Sequence, residues 1–263
     1  MRRTANNRWA ERLARLGLGA RGVLYVVIAI LAFRVAFGHF EDNASQNGAL
    51  QEIAAQPFGR VLVWIIAVGL IGYALWRLAT AAFGAGVDPV ATDAKQRVKA
   101  LAEGIGYGVI ASVAVKIAAG SGSSGGGGGQ QKTAMVLGWP GGQWLLGLVG
   151  LIAVAVGAFF GYDGIKADFT KELALGGQPH STRKTVVTLG RVGRVAHGIV
   201  FGIIGVLIIV AAVQYDPNQA KGVDGALKSL VGQPYGQVLL SIVALGLLAY
   251  GLYGLAEAKF RKV

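Results

Sequence analysis

Polar positions interrupt this chain at long intervals, and between them run apolar stretches of roughly 20 residues, the length that crosses a hydrocarbon core. Six are evident: Leu16 to Gly38, Phe58 to Trp76, Val98 to Ala119, Pro140 to Tyr162, Val192 to Val213 and Tyr235 to Ala256. The pattern predicts an all-α integral membrane protein with six transmembrane helices. The first run is too long for the core of a cleaved leader, and "FRVAFGHF" offers no small-residue cleavage site, so it reads as a retained span. Between spans, "GALQEIAAQ" and "GALKSLVGQ" predict short amphipathic helices on the outer surface. "GSGSSGGGGGQQ", Gly120 to Gln131, predicts a flexible external linker.

Composition agrees with the pattern. Hydrophobic residues make up 54% of the 263 positions and charged residues only 14%, where a soluble domain carries about a quarter charged. The 42 glycines, many inside apolar runs, suit spans whose backbones approach closely. The absence of cysteine removes disulfides and thiolate metal sites. A net charge of +12 does not point to nucleic acid, because the basic residues gather at the ends of the apolar runs. Counted by side, 19 Lys and Arg fall with the two termini and the second and fourth loops, and 6 with the other loops. The positive-inside rule then predicts cytoplasmic N- and C-termini.

One unit recurs three times. "ARGVLY" at Ala20 matches "AEGIGY" at Ala102 and "AHGIVF" at Ala196, with Arg15, Arg97 and Arg191 five residues ahead of each. Matching turns, "QPFGR", "WPGGQ" and "QPYGQ", open the second helix of each copy, and Pro57, Pro140 and Pro234 suit a first helical turn. Paired aromatics close it: Tyr73 and Trp76, Phe159 and Tyr162, Tyr250 and Tyr253. Gly22, Gly104 and Gly198 leave room for a neighbouring helix, and small-xxx-small spacing recurs at Gly104 with Gly108, Gly157 with Gly161 and Gly198 with Gly202. The chain divides into helical hairpins at 1–89, 90–187 and 188–263. Two helices per unit make the repeats parallel. The simplest arrangement is a pseudo-threefold ring of hairpins, with a linear row as the alternative.

With "ARGVLY" opening the unit and "GAL…QPFGR…GLIGYALWRL" closing it, the sequence resembles the bacterial membrane family catalogued as domain of unknown function 1206. The resemblance covers nearly the whole chain. It implies a six-span protein of the bacterial inner (plasma) membrane and brings no established activity. The middle unit departs most, with "WPGG" for "QPFG" and a longer glycine-rich loop.

Arg21, Glu103 and His197 hold equivalent places in the three units, at one depth. Twelve uncharged residues separate Arg21 from Arg34, and again Glu103 from Lys116. They cover only about 18 Å of a core roughly 30 Å thick. Arg and Lys snorkel that far, but a glutamate needs water, a partner or a proton. Two readings stand: a girdle at the inner interface, or an intramembrane Arg–Glu–His cluster near the axis. Tyr25, Tyr107 and Phe201 lie four residues on and share the face of the polar triplet.

Other motifs carry less. "GLGARG" at Gly17 lacks the preceding strand that a dinucleotide fingerprint needs. His39, His180 and His197 show no metal-ligand spacing, and no nucleophile stands beside a base. No catalytic residue, metal or cofactor is therefore expected. The reading that weighs most is a non-enzymatic structural, scaffold or lipid-associated component, with anionic headgroups as partners of the basic loops. A small-solute or ion transporter using the polar triplet is the alternative, and a lipid-acting enzyme weighs least. Self-association, or docking to another membrane protein, stays open.

Overall fold

The computed structural model describes residues 2–39, 44–88, 91–121, 128–217 and 223–262. Six long helices dominate it: α1 (Arg2–Ala36), α3 (Gly59–Phe83), α4 (Ala94–Ala118), α6 (Gly142–Lys166), α7 (His180–Gln214) and α9 (Gly236–Phe260). Each is long and apolar enough to span, and the chain is a six-span membrane protein. Short helices α2 (Gln46–Ala55), α5 (Gly128–Leu137) and α8 (Val223–Val231) precede α3, α6 and α9. The end of the bundle where α1 starts and α9 finishes is called the basic end.

Each repeat makes its turn in the same way. In Gln56–Gly59, Trp139–Gly142 and Gln233–Gly236 the last N–H donates to the first carbonyl at 2.8–2.9 Å. Phe58, Gly141 and Tyr235, the third residues, take positive φ of 60°, 76° and 59°. Proline second and positive φ third define a type II turn. The prolines therefore sit in the turn itself and the helices begin at the following glycine, not at proline as the sequence suggested. A Cβ on Gly59, Gly142 or Gly236 would meet a carbonyl of the preceding short helix within 2.3 Å.

The short helices are less superficial than expected. Leu50 of α2 and Leu227 of α8 are fully buried, because both helices pack into the far end of the bundle beside Val35 and Ala36. Helix α5 was not anticipated. Residues 128–131, expected as linker, form its first turn, and Leu137 at its end packs on Leu146 and Ala211. The linker residues 122–127 lie outside the described part. The expected boundary at 187/188 falls inside α7.

The closest pairings join different hairpins. The outgoing helix of each repeat packs on the incoming helix of the next: α3 on α4, α6 on α7, and α9 back onto α1. Within hairpins, α1 meets α3 and α7 meets α9, whereas α4 and α6 have no comparable contact. The neighbours thus run α4–α3–α1–α9–α7–α6, a ring left open inside the middle repeat. Glycines permit the tight pairs. A Cβ on Gly22, Gly104 or Gly198 would come within 2.9 Å of Gly251, Leu78 or Gly157 on the partner helix.

Candidate functional site

Each tight pair carries a buried ion pair near the basic end. Between α1 and α9, Arg21 donates to Glu257 at 2.5 Å. Between α3 and α4, Arg77 Nε lies 2.6 Å from Glu103. Between α6 and α7, Arg194 pairs with Asp163. In low dielectric a single buried charge is costly, and a close opposite charge offsets much of that cost. Arg15 and Arg97, equivalent in the repeats, add a second tie. They donate to the carbonyls of Lys259 (2.9 Å) and of Ala81 and Ala82 (2.9 and 2.7 Å), at the C-terminal ends of the helices they face.

Arg261, just past α9, links these pairs. Its guanidinium lies 2.5 Å from Glu257, 3.0 Å from Glu172 and 3.4 Å from Asp88. Asp88 also lies 3.4 Å from Arg77, and Glu172 lies 3.6 Å from Lys99 on α4. Burial works against the Glu172 carboxylate, but Arg261 and Lys99 outweigh it and hold its pKa well below the usual range. Burial likewise opposes the Arg261 charge, but Glu172 and Glu257 outweigh it and hold its pKa above the usual value. The backbone fixes the hub, since Ala174 N–H donates to Phe260 O at 2.7 Å and Lys262 N–H to Glu172 O at 3.0 Å. Trp76 lies between two of the cations, its ring 4.5 Å from Arg77 and 5.2 Å from Arg261.

An aromatic layer sits against the network. Tyr73 OH accepts from Arg77 and donates to Glu103, both at 3.1 Å. Arg21 lies 5.9 Å from the Tyr73 ring and 5.6 Å from the Tyr250 ring. His197 stacks on Tyr250 at 4.4 Å, with Tyr25 and Phe160 edge-on at 5.1 and 4.9 Å and Phe201 at 4.8 Å. Its Nδ1 is buried without a hydrogen-bond partner. Tyr107 packs edge-on to Tyr73 at 4.9 Å.

The three polar residues singled out from the sequence therefore share one level but make no ion pair with one another among the described residues. Arg21 turns to Glu257, Glu103 to Arg77, and His197 to aromatic rings. Tyr25, Tyr107 and Phe201 all lie in the aromatic layer. Sequence reasoning missed Glu257, Arg77, Asp163, Arg194, Asp88, Glu172 and Arg261. A signal was present in the register of the repeats, where Asp163 and Glu257 both stand 21 residues past the glycine that starts their helix.

Fold and polar layer together define a six-span membrane protein of three cyclically clasped hairpins, with a layer of paired charges at one end. The chain belongs to the family described as Domain of Unknown Function (DUF1206), which it matches three times, over residues 16–84, 98–167 and 192–261. It is also similar to "Uncharacterized protein YxxB" of Bacillus subtilis (strain 168), 35% identical over 256 residues, covering 96% of this chain and 92% of that one. No solved structure matches.

Proposed function

We propose that the protein is a non-enzymatic, lipid-associated scaffold of the bacterial plasma membrane, with its basic end in the cytoplasm. The observation that carries this reading is the pairing of Glu257, Glu103, Asp163 and Glu172, each with a cation within 3.0 Å. Carboxylates held in this way are poor general bases and leave little charge to draw an ion along the axis. At the far end, α2 and α8 pack Leu50 and Leu227 into the core and narrow any route along the bundle. The orientation rests on the 19-to-6 asymmetry of Lys and Arg, and the bacterial setting on the relative's organism.

A transporter is the second reading, favoured by the partial exposure of the Glu103 side chain and the unpartnered Nδ1 of His197. Proteoliposomes separate the two. The scaffold reading expects proton and solute flux equal to that of empty vesicles, with phospholipid copurifying. A gradient-driven flux in the wild type that Glu103→Ala abolishes overturns it.

A further inference from the structure

The middle repeat leaves uncovered a face that its two sister repeats bury. Counted from the glycine that starts each helix, Ile66 of α3 and Val243 of α9 hold one place and are 7% and 8% exposed, and Gly69 and Gly246, one turn on, are buried. The matching residues of α6, Val149 and Ile152, are 45% and 54% exposed. Helix α4 is also open at one position on the face that carries Lys99, while Ile110 and Val113 further along it are half-buried. Gly106 is exposed, and a Cβ built on it would meet nothing within 4 Å. The two walls come together near the basic end, where Lys99 Nζ on α4 lies 6.0 Å from the ring of Phe159 on α6.

We infer that this lateral fissure between α4 and α6 is the binding site for one anionic phospholipid, drawn from the leaflet at the basic end. The inference rests on the lipid-associated reading above and names its site. In a bilayer an open apolar cleft between spanning helices fills with hydrocarbon, and past Glu103, one turn from Lys99 and paired with Arg77, the wall positions Gly106, Ile110, Val113, Val149 and Ile152 carry no polar side chain. From Lys99 to Val113 the α4 wall rises about 21 Å at 1.5 Å per residue, enough for the ~15 Å hydrocarbon depth of one leaflet.

The rim selects the head. Lys99 and Lys166 stand at the basic ends of the two walls, each against an aromatic ring, Phe159 and Tyr162. Lys166 is exposed, and Lys99 meets Glu172 only loosely at 3.6 Å, so both ammonium groups keep donors for a phosphate. Equivalent positions in repeat 1 are Gly17 and Phe83, and in repeat 3 Gly193 and Phe260. The cationic rim thus belongs to the open repeat and not to the two closed ones.

The test uses the full chain in nanodiscs of phosphatidylglycerol and phosphatidylcholine, transferred to detergent and read by native mass spectrometry. The expected result is one retained phosphatidylglycerol per chain. Gly106→Phe combined with Ile152→Phe fills the cleft and lowers that retention at least tenfold, and Lys99→Gln with Lys166→Gln removes the preference for the anionic lipid. Retention unchanged by the filling pair overturns the fissure while leaving lipid association standing, and a wild type that retains no lipid overturns both. A second copy of the chain retained instead of lipid also overturns the proposal.

Folding of the filled variant is bypassed by a second measurement. The chain has no cysteine, so a dye on Ile152→Cys reports the cleft alone. Brominated phosphatidylglycerol quenches it saturably if the site exists. Quenching that tracks only the bulk fraction of brominated lipid overturns it.

Discussion

Helices α3 and α6 share a repeat pattern and nearly the same apolarity, yet one inner face is buried and the other lies open. What differs is the neighbour. The face of α3 is covered by α1 of its own hairpin and by α2, whereas α6 has lost its hairpin partner α4 and receives only α5 near its far end. In water an uncovered Val149 and Ile152 would be penalised. Lipid removes that penalty, so an apolar face in a membrane need not be a packed face. The comparison teaches that repeats set the helices, while connections and charges decide which helices close.

The largest test of this contrast lies in the closed part. Glu257→Gln leaves Arg21 and Arg261 buried beside a neutral side chain, and should cost about 3–5 kcal/mol, read as a large drop in thermal midpoint in detergent. Glu103→Gln, whose carboxylate is partly exposed, should cost about half as much by the same measurement. A loss for Glu103→Gln as large as for Glu257→Gln would erase the difference between the open and closed pairs.

Next in size comes a paired truncation, one residue in each of the two faces. Leu240→Ala in the buried face of α9 should cost about 2–3 kcal/mol, and Val149→Ala in α6 should stay within about 0.5 kcal/mol. Equal losses would mean that the α6 face is covered in the membrane by protein.

Acid gives the smallest effect. The folded-state pKa of Glu172 lies below its unfolded value. Its contribution is therefore complete above about pH 4.3 and is lost as pH falls from there through the lowered folded value. Thermal midpoints measured from pH 7 downward should fall less steeply on the acid side for Glu172→Gln than for the wild type.

Much of this architecture is legible in the sequence because lipid enforces it. Span lengths, the parallel repeats and the Gln-Pro-aromatic-Gly turn all follow from local rules. Arg21, Glu103 and His197 were visible because no local rule accounts for a charge there. Their partners were not. Arg77, Arg194 and Arg261 sit at or just past the ends of the apolar runs, where a basic residue already has an explanation as a topology signal, so nothing in the sequence places them inside. Nor does any one hairpin contain a whole pair of the three that tie one spanning helix to another: Arg77 needs the next repeat, Arg194 the one before, and Arg21 the last. Helix α5 escaped for a different reason, since two of its first four residues are glycine and Leu137 finds its partners, Leu146 and Ala211, on other helices.

The clasp between α9 and α1 joins Arg21 to Glu257 across 236 residues of sequence. A chain emerging N-terminus first therefore holds an arginine in waiting until its final span arrives. Assembly cannot proceed hairpin by hairpin to completion, because the earliest helix receives its counter-ion last. Until α9 is in place, the half-made chain carries a guanidinium whose counter-ion has yet to be synthesised.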